Sequence, residues 1–212
     1  MRRAASRTLF RRPAATTGRV PSIDSGEMPR FVTSSADYQT SQSVLEFPHP
    51  PPPAARALVC SLLSSRQLGE REQLAVALLE VLNDSFGLPE IRLVLADRAQ
   101  THATDQRGRL AQKTYGYYRC RIPRPGAAPE RCAIRIYHRT AIRQQVLAPG
   151  AFVNTLLHEW THHFDFCSLR LGRSPHTAGF FARLRWLASS VGAARVLPAE
   201  DPPGRGNHRV SI

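Results

Sequence analysis

Lysine is almost missing from this chain: of its 29 basic residues only Lys113 is lysine, and the other 28 are arginine. Cysteine is sparse. Cys60, Cys120, Cys132 and Cys167 contain no C-x-x-C pair, which rules out a paired-cysteine zinc ribbon and argues against a disulfide scaffold. Cys120 and Cys132 bracket a Pro/Gly-rich loop and are expected on neighbouring strands, where they could touch, with the reduced state as default. No apolar run approaches the ~20 residues that cross a bilayer. The N-terminus lacks the apolar core of a secretory signal, and no segment repeats. The first acidic residue is Asp24.

What is present is positive charge and one apolar helical block. Net charge is +13, from 29 basic against 16 acidic residues. GC-rich coding accounts for arginine in place of lysine, but not for the excess of cations over anions. Such a surface attracts polyanions by counterion release, and the guanidinium fork suits phosphate. DNA is therefore a candidate partner, through a basic surface and basic arms. Tyr115, Tyr117, Tyr118 and Arg119 form either a stacking platform for single strands or a strand with one packed tyrosine face.

Composition divides the chain into three. Residues 1–53 read as a disordered basic and proline-rich arm, with Arg2, Arg3, Arg7, Arg11, Arg12 and Arg19 followed by Pro48-His-Pro-Pro-Pro-Pro53. The first 20 or so residues fit an organellar transit peptide as well as a basic arm. Residues 54–192 read as the folded domain, and 193–212 as a flexible tail. The expected compartment is cytoplasmic, with nucleoid, nuclear or organellar alternatives. Within the domain, helical periodicity runs over residues 54–86 and stops at Gly87-Leu-Pro89. Ile91–Ala96, Gln112–Arg119 and Cys132–His138 alternate as strands, the last two joined as a hairpin.

The chemistry lies in Leu156-Leu-His-Glu-Trp-Thr-His162, an H-E-x-x-H motif. Phe152, Val153, Leu156, Leu157, Trp160 and Phe164 recur at helical spacing and predict a packed stripe. At about 100° per residue His158 and His162 fall opposite that stripe, with Glu159 toward one edge. Residues four apart share a helix face, so the two histidines can grip one metal ion. Glu159 is placed to act on a water there. His163 projects elsewhere and reads as a buried, hydrogen-bonded histidine rather than a ligand. Asp165 is either an acceptor supporting a ligand imidazole or a surface or capping carboxylate.

A catalytic zinc site needs a third protein ligand. The metzincin spacing fails, because Asp165 and Ser168 stand where Gly and His are required. The only later glutamate, Glu200, lies in the proline-rich tail. His176 is the better candidate. Ser174 reads as an N-cap, Pro175 as the first helical residue and His176 as first-turn, with Phe180 anchoring the same face one turn on.

On the residues Thr155-Leu-Leu-His-Glu-Trp-Thr-His162 and Pro175-His-Thr-Ala-Gly-Phe180, the chain resembles the SprT-like zinc metallopeptidases, the family that includes the Spartan proteases acting on DNA–protein crosslinks. The resemblance covers about Arg66 to Gly192. The family places Gly directly after the third His, where this chain has Thr177, and many members carry a zinc ribbon that this chain lacks.

The resemblance implies an α+β, zincin-like domain: a small mixed or antiparallel sheet of about three strands packed with an N-terminal helix, the H-E-x-x-H helix and a following helix. It implies Zn²⁺ on His158, His162 and His176. It also implies peptide-bond hydrolysis of a protein or peptide substrate by a metal-activated water, with Glu159 as general base. Tyr137 and His138 are candidates for transition-state support, and Cys132–His138 is the strand expected to receive substrate along its edge. A basic nucleic-acid-binding protein with a structural zinc, and a metallopeptidase without any nucleic-acid role, are the competing readings.

Overall fold

The computed structural model describes residues 35–124 and 127–196. The transit-like N-terminus and the tail from Pro198 onward lie outside the described residues. Among those described, five α-helices, a three-stranded mixed sheet and a separate two-stranded sheet are present.

The H-E-x-x-H segment forms helix α4 (Pro149–Cys167). Pro149 opens it, at a position where the missing N–H costs nothing. The sequence predicts one packed face and one wet face. Instead α4 is buried on nearly every side, His158 through Cys167 included. One side packs on the sheet formed by β1 (Arg92–Ala99), β4 (Gly116–Arg121) and β5 (Glu130–Arg139). Other sides meet α2 (Pro53–Ser64) and α5 (Ala178–Ser190). Tyr118, Ile134 and Ile136 fill the sheet side of this core.

The strand order is β1-β5-β4, with β1 parallel and β4 antiparallel to β5. This corrects two expectations. β5 is the central strand, hydrogen-bonded on both sides, so it has no edge to offer a peptide. The predicted strand Gln112–Arg119 is two elements broken at Tyr115: β3 (Leu110–Thr114) pairs with β2 (Thr101–Thr104) in an exposed hairpin, and only β4 joins the main sheet. Asp105 closes the hairpin turn by accepting the Arg107 and Arg109 backbone N–H groups. Of the tyrosine cluster, Tyr118 is fully buried, so no continuous stacking platform forms.

The periodic stretch 54–86 is also two helices, α2 and α3 (Leu68–Phe86). The buried Arg71 guanidinium holds the break by donating to Ser65 O (3.0 and 2.9 Å), and reaches across to Leu147 O (2.8 Å) just before α4. Burial lowers its pKa, with help from Arg66. At the end of α3 Gly87 takes the left-handed conformation (φ 61), which lets Leu88 N–H cap Asn83 O.

Composition assigned residues 35–53 to a disordered arm. They are ordered, and tertiary contacts order them. Helix α1 (Ser35–Ser43) packs on α5. Phe47 inserts among Phe86, Trp160, Phe164 and Trp186, with ring centroids 4.4–5.7 Å away. At the other end Ala193 is buried and the short 3-10 turn Ala194–Val196 packs against α4, so the packed region extends past residue 192. Truncating Phe47 to Ala is expected to cost about 3–5 kcal/mol, read as a lowered urea midpoint. A cost below about 1 kcal/mol would show that the segment merely rests on the surface.

Candidate metal centre

His158 and His162 project from one face of α4, and His176 reaches them from the loop before α5. The three imidazole centroids are each 4.9 Å from the other two. The Nε2 atoms stand 3.0, 3.1 and 3.2 Å apart. Nitrogen ligands at about 2.0–2.1 Å from a tetrahedral ion are separated by about 3.3 Å, so the spacing is close to that of a metal's coordination sphere. Phe180 lies against all three rings, at 5.0, 4.7 and 4.9 Å, as the expected anchor.

The tautomer of His162 follows from its neighbours. Asp165 is fully buried and holds an ion pair with Arg183, whose Nη2 stands 2.9 Å from both carboxylate oxygens. Ser174 Oγ–H donates to Asp165 Oδ2 at 2.7 Å. Its proton thus committed, Ser174 Oγ accepts from His162 Nδ1 at 2.7 Å. Nδ1 therefore carries the hydrogen, and the Nε2 lone pair faces the other two rings, as metal ligation requires. Burial pushes Asp165 up to about 6, against the pull of Arg183 and Ser174, and it remains a carboxylate at neutral pH. Asp165 is neither a surface nor a capping group. It supports His162 at one remove.

Two details of the third ligand differ from expectation. Helix α5 starts at Ala178, with Thr177 as N-cap accepting from Phe180 N (3.0 Å), so His176 precedes the helix rather than sitting in its first turn. Ser174 is a bridge, not a cap. The loop is braced by α1, which composition did not mark as structured. Ser41 Oγ lies 2.9 Å from Thr177 Oγ1, and Arg173 N donates to Asp37 at 3.1 Å. A Cβ on Gly179 would stand 2.0 Å from Ser41 O, so only glycine allows α1 this close. Arg183 also donates to the Ser41 and Val44 carbonyls, tying α1 to the same ion pair.

Glu159, the residue after His158, is almost wholly buried. Burial pushes its carboxyl up to about 8, against a backbone hydrogen bond from Tyr118 on β4. That contact rests on register. Gly116 lies so close that a Cβ would be 2.9 Å from Thr155 Cγ2. Four residues along α4 rise about 6 Å and two along β4 about 6.7 Å, which carries Tyr118 alongside Glu159. A carboxyl held this high by burial becomes a proton acceptor at neutral pH when a cation stands nearby. The donor set of three imidazoles, with one tautomer dictated from behind, fits a divalent ion.

No family model, curated protein or solved structure matches this chain.

Tyr137 and His138 are not brought to the site. Strand alternation puts Tyr137 on the sheet face away from Ile136, with the Arg98 guanidinium 5.3 Å from its ring centre. His138 accepts at its carbonyl from Leu147 N. It therefore lies beyond the N-terminal end of α4, nine residues or about 14 Å of rise before His158. Its pKa is lowered, first by burial and then by Arg71. The residues that local reasoning missed are Ser174 as a bridge, Arg183, and the Tyr118 backbone. None carries a local signal, since each acts through a partner distant in sequence.

Proposed function

We propose that this chain is a zinc-dependent endopeptidase of SprT-like, zincin-like type. The observation that carries the reading is the convergence of three imidazole Nε2 atoms, with the buried carboxyl of Glu159 next to the first of them in the chain. His158, His162 and His176 hold the ion. When bound, zinc supplies a Lewis acid that acidifies water and polarises a carbonyl. Glu159 takes a proton from water and passes it to the leaving amine nitrogen. Ser174, Asp165 and Arg183 keep His162 in its ligating tautomer.

With β5 central, an extended substrate pairs instead along the outer side of β4, the strand that contacts Glu159 through Tyr118. Net charge of +13, with Arg107 and Lys113 exposed on the β2–β3 hairpin, supports substrates associated with DNA.

Zinc content and cleavage of an unfolded protein, with and without single-stranded DNA at low and high salt, test the reading. DNA-stimulated cleavage that fades with salt is expected. Cleavage indifferent to DNA would remove the nucleic-acid part and leave the peptidase. His176→Ala is expected to lose one metal ion per chain together with hydrolysis. Full metal retention in that variant would place the third ligand elsewhere.

A further inference from the structure

Helix α4 carries a second pair of metal-type side chains at i and i+4, His163 and Cys167. This pair is offset from His158 and His162 by five residues, about 140° around the helix. Where the first pair faces the His176 loop, the second faces the sheet. There it meets Cys132 from β5. His163 Nδ1, Cys132 Sγ and Cys167 Sγ all lie within 4.8 Å of one another, and all three residues are buried.

The hydrogen bonds orient His163 as a ligand. Its Nε2 stands 3.0 Å from Pro89 O, and a carbonyl only accepts, so Nε2 carries the hydrogen. The Nδ1 lone pair then faces Cys167 Sγ at 3.4 Å and Tyr118 Oη at 3.1 Å. Two donors, an S–H and an O–H, compete for that single lone pair, with a second thiol beside them. A histidine whose far N–H is held by a backbone carbonyl is the usual state of a metal-bound imidazole. Sulfur and nitrogen on one tetrahedral zinc are about 3.6 Å apart, near the 3.4 Å seen here.

Charge favours the same reading. Two thiolates and a neutral imidazole around a dication sum to zero, which suits a buried position where an isolated charge is costly. A surface cavity of about 440 Å³, lined by Pro89, Glu90, Glu130, Arg131 and Cys132, opens beside the cluster. At its rim β5 bulges, with Arg131 in the left-handed conformation (φ 52) and the β4–β5 register shifting between Arg119 and Arg121.

We propose that Cys132, His163 and Cys167 form a second metal site for a soft tetrahedral ion of the zinc class, three protein ligands with the fourth position left to an exogenous ligand. Its ligands join α4 to the central strand of the sheet. A bound ion there pins the rotation of α4 about its axis, and with it the direction in which His158 and His162 point. The site is independent of the peptidase reading and stands if that reading falls.

Cobalt substitution of the full-length protein separates the two sites, because only thiolate ligands give a sulfur-to-cobalt charge-transfer band in the near ultraviolet. The band is expected in the wild type. It is also expected in His158→Ala/His176→Ala, where one ion per chain should remain. The double change Cys132→Ser/Cys167→Ser should abolish it and either single change should weaken it, while Cys60→Ser, at an exposed thiol, should retain it. Should the cysteine variants fail to fold, the double histidine variant decides by itself. Absence of the band there, or a Cys132–Cys167 disulfide found by mass spectrometry of unreduced protein, would overturn the proposal.

Discussion

Glu159→Gln is expected to keep its full zinc content and lose peptide hydrolysis by about two to four orders of magnitude, the range of a removed general base. The two halves of this result come from different atoms. Metal content at the histidine site depends on three Nε2 atoms that Glu159 does not supply. Glutamine is nearly isosteric, and its amide oxygen still accepts the Tyr118 backbone hydrogen bond. Only the capacity to take a proton is removed. Burial of a carboxyl pushed up to about 8 is unfavourable to its charged form, so the variant should be at least as stable as the wild type in denaturant. Unchanged hydrolysis would remove Glu159 as the base. Loss of zinc together with activity would make it a ligand instead.

Breaking the buried ion pair should lower stability and metal affinity together. Asp165→Ala is expected to cost about 3–5 kcal/mol, because it strands the Arg183 guanidinium in the interior. It should also weaken zinc binding at the histidine site about 10–100-fold, the usual consequence of losing the support behind a ligand. Ser174→Ala separates the two effects. It removes the bridge to His162 while leaving Asp165 and Arg183 paired, so affinity should fall with a stability loss of only about 1 kcal/mol. The double change Asp165→Leu/Arg183→Met should recover stability relative to Asp165→Ala, since no buried charge is left alone, without restoring affinity. Equal affinity in the wild type and Ser174→Ala would show that the bridge does not orient His162.

Local chemistry determined a good deal in advance. His158, Glu159 and His162 were legible because their mutual geometry is set by one helix, whose period is a covalent property of the backbone. His176 and Phe180 were legible through a short turn and a spacing within a single segment, and the apolar stripe announced the helix that carries the motif. What local patterns could not decide was everything resting on a partner far along the chain. The sheet order, which made β5 central and moved the free edge to β4, depends on long-range pairing. Asp165 could be a surface carboxylate until Arg183, on another helix, came to rest against it. The segment 35–53 is polar and proline-rich, and it is ordered only because Phe47 finds an aromatic pocket and Ser41 meets the His176 loop. The second cluster was hidden for the same reason. His163 and Cys167 share a helix face by sequence alone, but the pair acquires meaning only when the sheet brings Cys132 to it, 31 residues away from His163 in the chain and 35 from Cys167.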